Sequence, residues 1–155
     1  MKRIIYILFL TSIYSITALS ADGMINVKSD FKVNKTADRL EKILNKKGMT
    51  IFNRIKHSDS ARMVDLELRE TELIIFGNPK VGSPLMKCQQ SIAIDLPQKA
   101  LIWEDENQVV WISYNDPQYL VKRHNLEGCT KILAKIKGVL DKLTKKAAAK
   151  LVLKD

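Results

Sequence analysis

The chain has 155 residues, 46% of them hydrophobic and 28% charged, and its 26 lysines and arginines outnumber 17 aspartates and glutamates for a net charge of +9. This is enough apolar material for one domain around a single core, and neither an internal repeat nor a low-complexity spacer argues for a second. Two cysteines and two histidines, with no Cys-x-x-Cys, no His-x-x-x-His and no methionine cluster, exclude a site that advertises its metal by ligand spacing.

Residues 1–20 read as a signal peptide. Lys2 and Arg3 precede an apolar core from Ile4 to Leu10, extended by Ile13, Tyr14 and Ile16, and Ala18-Leu19-Ser20 supplies the small residues of a cut after Ser20. Thr11, Ser12, Ser15 and Thr17 interrupt a run that a membrane-spanning helix would need to be roughly 20 residues long. The expected location is periplasmic or secreted. Cleavage leaves 24 basic and 17 acidic residues, a charge of +7. Export also takes the chain away from nucleic acid, and it carries Cys88 and Cys129 to an oxidising compartment where an even count favours a disulfide.

Met24–Lys28 alternates apolar and polar residues, the pattern of a half-buried strand. Asn34 or Thr36 can cap a helix whose apolar positions are Ala37, Leu40, Ile43 and Leu44, with Gly48 where a helix C-terminus wants it. Thr50–His57 reads as the second strand. Ser58 or Asp59 then caps a short helix through Val64 and Leu66, and Glu72–Phe76 is a third strand. Beyond it Gly77-Asn78-Pro79-Lys80-Val81-Gly82 reads as a turn, with Ser83 as N-cap and Pro84 as first residue of a short helix to about Gln89.

Ser91–Asp95 looks extended. Lys99–Glu104 and Val109–Tyr114 form a hairpin about Asp105-Glu106-Asn107-Gln108, and Asp116-Pro117 starts a helix to about Arg123. From Lys131 onward Ile132, Ile136, Val139, Leu140, Leu143 and Ala147 make a helical stripe flanked by lysines. Eight lysines against two aspartates from residue 131 to the end carry +6 of the mature charge. These patterns give a signal peptide at 1–20, a single α+β domain at 24–126, and a basic amphipathic helix at 127–155 packing on that domain. The element order is roughly β-α-β-(α)-β-α-β-β-β-α-α, with an antiparallel sheet of about five to six strands backed by helices.

Three ordered motifs resemble a known family. Phe76-Gly77-Asn78-Pro79-Lys80-x-Gly82-Ser83-Pro84-Leu85-Met86 is the first, and Asp95-Leu96-Pro97-x-Lys99-Ala100-Leu101-x-Trp103-Glu104-Asp105 the second. The third is Ser113-Tyr114-Asn115-Asp116-Pro117-x-Tyr119-Leu120-x-x-Arg123-His124. Together they resemble the bacterial domain-of-unknown-function family 302 over about Ile25 to Leu126. The chain departs from the family pattern at Lys56, where an acid usually precedes the histidine of the second strand. The resemblance implies a TATA-binding-protein-like architecture and no established activity.

Gly77-x-x-x-x-Gly82 has phosphate-loop spacing, but Ser83-Pro84 stands where Lys-Ser/Thr is required, so no nucleotide triphosphate site is expected. No Gly-x-Ser-x-Gly elbow is present either. The expectation is an exported, non-enzymatic module for an unknown small molecule or an envelope protein, with no cofactor. Its pocket would lie between the sheet and the Asn78–Ser83 bend, with Trp103 and Tyr114 as walls and Asn78, Lys80, Ser83 and His57 as polar contacts. One alternative is a soft-metal (copper or zinc) protein using His57, Met86, Cys88 or His124. Another is a small hydrolase or isomerase using His124 or His57, with Ser83 or Cys88 and Asp95 or Asp116 beside them. The bland reading of His124 is a helix C-terminal cap, and that of Asp95 a turn former. The lysine-rich last helix can contact a membrane surface, and free sheet edges leave room for a homodimer.

Overall fold

The computed structural model describes residues 23–150, so the leader read at residues 1–20 lies outside the described residues. The elements are β1 (Met24–Ser29), α1 (Val33–Lys46), β2 (Thr50–Lys56), α2 (His57–Arg62), β3 (Thr71–Gly77) and α3 (Pro79–Cys88). A 3-10 segment (Gln90–Asp95), β4 (Gln98–Glu104), β5 (Val110–Asn115), α4 (Pro117–His124) and α5 (Thr130–Ala148) follow. The strands form one five-stranded sheet in the order β1-β5-β4-β3-β2, every pair antiparallel. β1 thus lies along β5 of the β4–β5 hairpin, with β1 and β2 at the edges of the sheet.

Alternation along the strands decides which face is covered. Ile74 and Phe76 of β3, Ala100 and Ile102 of β4, and Val110, Ile112 and Tyr114 of β5 are buried together under Val33, Ala37, Leu40 and Leu44 of α1 and Leu140, Leu143 and Ala147 of α5. Fully burying such aliphatic side chains stabilises by about 1.5–3 kcal/mol each. The opposite residues of the ladders, Leu73 with Leu101 and Trp103 with Trp111, share the other face and stay half-buried. A second apolar cluster, Leu85, Ile92, Leu120, Leu126, Cys129 and Leu133, gathers α3, the 3-10 segment, α4 and the start of α5. Ile136 packs against both clusters, so α5 is the beam that joins them.

One charge is buried in the first cluster's layer. Glu72 is 2% exposed, and its carboxylate takes a hydrogen bond from Arg54 Nε at 2.6 Å. The same guanidinium reaches Asp38 at 2.7 Å and Glu41 at 3.2 Å from its Nη1. Burial works against the Arg54 charge, but the hydrogen bonds to Glu72 and Asp38 outweigh it and raise its pKa further. Next to Asp38 on α1, Arg39 donates to the carbonyls of Lys146, Ala147 and Ala149, satisfying the last turn of α5.

Several local expectations are corrected. The first helix begins at Val33 after Lys32, with no side-chain cap, because Thr36 instead bonds Ser29 Oγ at 2.7 Å. The short helix after β2 is already helical at His57 and ends at Arg62. Ser91–Asp95 is a 3-10 turn, because Ile92 faces the second cluster and Asp95 is turned inward to a partner. Of the turn expected at 77–82, Gly77 ends β3, Asn78 is the cap, and residues 79–82 are the first turn of α3. Asn78 caps it by accepting from Lys80 N at 2.9 Å, Pro79 takes the first position, and Pro84 falls inside the helix. Both Asn78-Pro79 and Ser83-Pro84 carry a start signal, and the earlier one wins because the first turn closes on Asn78 O from Gly82 N at 2.9 Å.

Candidate functional site

The seam between the two apolar clusters is incompletely filled. A cavity of about 290 Å³, open on one side, lies beneath α3. Its floor is the cavity-side end of β3 and β4, with Phe76, Gly77 and Gln98; Leu96 and Pro97 close one flank, and Ile136, Val139 and Leu140 of α5 close another. The roof is α3 itself, through Val81, Gly82, Leu85 and Met86. Almost all of this wall is carbon.

The local sequence explains why the space stays open. β2 carries a bulge between Ile51 and Asn53, which takes Phe52 out of the ladder and leaves it 53% exposed at the mouth. Gly82 presents no side chain to the seam. A Cβ built there would have Leu96 Cδ1 as its nearest neighbour at 3.9 Å, an ordinary contact, so neither crowding nor a left-handed backbone requires glycine. Gly82 and Pro84 both weaken a helix interior, by about 1 and 3 kcal/mol relative to alanine. A roof assembled from poor helix formers departs from local propensity where the cavity lies, as functional sites do.

The expected pocket residues divide. Asn78 and Ser83 line the cavity; Lys80, Trp103, Tyr114 and His57 do not. Lys80 is exposed on the first turn of α3. The ladder runs from Thr50 opposite Gly77 to Lys56 opposite Glu72, so His57 follows the end of β2 remote from the cavity. Trp103 pairs with Thr71 at that same remote end, on the uncovered face, and donates its indole N–H to Ser113 Oγ at 2.7 Å. Tyr114 is 3% exposed within the sheet–helix core, where burial pushes its phenol pKa up. Those two aromatics pack within the sheet and do not line this cavity. The missed residues, Phe52, Leu96 and Val139, carry no chemical signal and become lining only through the seam.

The soft-metal set is not brought together. Cys88 is joined to Cys129 in a disulfide that ties the end of α3 to the residue before α5. Met86 lies at the cavity, His57 is remote, and among the described residues no group of three histidine, cysteine or acidic side chains is placed to hold an ion. His124 is not a C-terminal cap. It is 8% exposed, with Nε2 at 2.6 Å from Asp95 Oδ2 and Nδ1 at 3.0 Å from Ser91 Oγ. Asp95, also buried, has Arg123 Nη1 on its other oxygen at 3.3 Å. Asp116, by contrast, caps α4 through Gln118 N and takes Lys137 at 3.0 Å, remote from either histidine's hydrogen bonds.

The fold and sequence have counterparts. A crystal structure of an uncharacterised conserved DUF302 protein from Bacillus stearothermophilus superposes with a TM-score of 0.74 at 20% identity, over 82% of this chain and 99% of that one. Fluoride-specific ion channel FluC 1 of Brucella suis biovar 1 (strain 1330) is 42% identical over 104 residues, 67% of this chain and 41% of that protein. Fluoride-specific ion channel FluC 1 of Brucella abortus biovar 1 (strain 9-941) shows the same identity over 38% of its length. The chain therefore spans about two fifths of the curated relatives it matches. No helix among the described residues is long and apolar enough to cross a membrane. Residues 25–143 match the family described as domain of unknown function DUF302, a span that includes most of α5, and the chain belongs to that family.

Proposed function

We propose that this protein is a binding module for a small, predominantly apolar molecule, held in the cavity beneath α3 and met outside the cytoplasm once the leader is removed. The observation that carries the reading is a 290 Å³ space with a carbon wall under a helix of weak propensity. A cavity of ~150 Å³ holds one benzene ring, so this one has room for roughly twice that, a two-ring compound or a short alkyl chain. The few polar groups at its edge, Asn78, Ser83, Gln98 and Lys135, orient a ligand through a single polar end. Fluoride, named for the Brucella relatives, is not transferred to this site, because a carbon wall supplies few donors to replace the hydration of a small anion.

Two measurements test the proposal. Native mass spectrometry of the mature protein purified from its own periplasm should show a bound apolar molecule at a one-to-one ratio. The purified protein should also take up N-phenyl-1-naphthylamine saturably, with fluorescence enhancement. Occupation at 100 times Kd stabilises by about 2.7 kcal/mol. For a domain near this size that raises Tm by roughly 6–12 °C. Neither retained molecule nor saturable uptake would leave the seam a packing defect.

A further inference from the structure

We propose that Ser91 is an activated nucleophile, and that Ser91, His124 and Asp95 form an acyl-transfer site for small esters with acidic leaving groups, aryl esters above all. Asp95 decides the tautomer of His124. An ionised carboxylate has nothing to donate, so the 2.6 Å contact to Nε2 places the imidazole proton there. In the neutral imidazole Nδ1 is then the acceptor, and the Ser91 hydroxyl at 3.0 Å donates to it. This is a general base on a serine, with a carboxylate holding the tautomer and Arg123 balancing the carboxylate's second oxygen. The ring nitrogens exchange roles relative to the usual serine hydrolase, and either nitrogen can accept a proton.

Burial separates this arrangement from a histidine merely satisfied by its neighbours. His124 and Asp95 are 8% and 9% exposed, whereas Ser91 lies on the surface. The pair therefore presents its basic nitrogen to a hydroxyl that solvent and small molecules can reach. Its placement is rigid. Ser91 and Asp95 sit four apart on the 3-10 segment, pinned by Ile92 in the second cluster, and Leu120 and Leu126 anchor α4 on either side of His124. Gln89 adds a hydrogen bond to the His124 carbonyl at 3.4 Å. The same segment gives Ala93 to the apolar cavity, so the two sites share one short stretch of chain.

The step balances without a co-reactant other than water. Ser91 Oγ bonds to the ester carbonyl carbon as its proton passes to His124 Nδ1. The bond from carbon to the leaving oxygen breaks, and that oxygen takes the proton from Nδ1. Water then attacks the acyl-serine, gives its proton to Nδ1, and Ser91 recovers one as the carboxylic acid departs. A positioned general base contributes about 10²–10⁴-fold, which sets the expected effect.

The test uses an alkyl fluorophosphonate on the intact, oxidised mature protein, with adducts mapped by peptide mass spectrometry. Ser83 is an internal control, being exposed with no histidine hydrogen-bonded to it among the described residues. Ser91 should be labelled about 100-fold faster than Ser83, and faster by a similar factor than Ser91 of the same chain in urea. Ser91→Ala, a surface change, should remove the adduct, and His124→Gln should slow it at least tenfold. Labelling of Ser91 no faster than Ser83, or equal labelling in urea, overturns the proposal. The urea comparison needs no variant, so it still decides the matter if the His124→Gln chain fails to fold.

Discussion

Replacing Gly82 with leucine should strengthen the protein and abolish its binding. The new Cβ meets only Leu96 Cδ1, at 3.9 Å, and Gly82 lines a 290 Å³ cavity with room for the rest of the side chain. Removing an interior helix glycine contributes about 0.8–1 kcal/mol. Each buried methylene adds up to about 0.8 kcal/mol, less the rotamer freedom lost, so one to two effective methylenes contribute about 1 kcal/mol more. The expected gain is about 1–3 kcal/mol, seen in urea as a higher midpoint with an unchanged slope. The same variant should lose saturable uptake of N-phenyl-1-naphthylamine, since the side chain occupies the site. Gly82→Ala separates the two effects: about 1 kcal/mol of helix stabilisation with most of the binding kept. A Gly82→Leu protein that is destabilised, or that binds the probe unchanged, would show that the seam is not the receptor.

Three further outcomes are expected. Arg54→Met strands the buried Glu72 carboxylate and should destabilise by about 3–5 kcal/mol in urea, whereas adding Glu72→Gln should restore much of the loss; equal effects of the single and double variants would refute the pairing. Cys88 and Cys129 are 41 residues apart, so replacing both with serine should cost about 4 kcal/mol by chain entropy, and an unchanged urea midpoint would contradict it. Tyr114 has its phenol pKa raised by burial, so the unfolded chain ionises first and stability present below pH ~10 should fall as pH rises beyond it. Tyr114→Phe should flatten that alkaline slope; an identical slope would place the phenol elsewhere.

Much of the fold was legible from short apolar runs closed by turn residues. Met24–Lys28 alternates, Leu73–Phe76 is a continuous apolar run ending at Gly77, two such runs flank the polar turn Asp105–Gln108, and Asp116-Pro117 starts α4 as its chemistry dictates. The start of α3 was misplaced because two Asx/Ser-Pro signals stand five residues apart, and the helix uses the first, with Asn78 accepting from Lys80 N and Gly82 N. Ser91–Asp95 reads as extended by composition, yet its turn is fixed by Ile92 and by the Asp95–His124 bond, both long-range.

The candidate site was less legible for the same reason. Asn78 and Ser83 were singled out from their turn chemistry and do line the cavity, but the aromatic walls were assigned by type, and Trp103 and Tyr114 belong to the opposite face and the core. The actual lining, Phe52, Val81, Leu96 and Val139, is apolar residues at ordinary spacing, whose role appears only where two clusters fail to meet. Ser91 escaped notice because nothing local marks it; its significance comes from a histidine 33 positions later.

Isothermal titration calorimetry of the purified wild-type protein with N-phenyl-1-naphthylamine, repeated across temperature, probes the receptor claim most directly. Burying an apolar ligand in the cavity predicts one-to-one saturation and a negative heat-capacity change, on the order of −0.1 to −0.2 kcal/mol/K. Heats that fail to saturate, or saturate with a heat-capacity change near zero, would contradict the account.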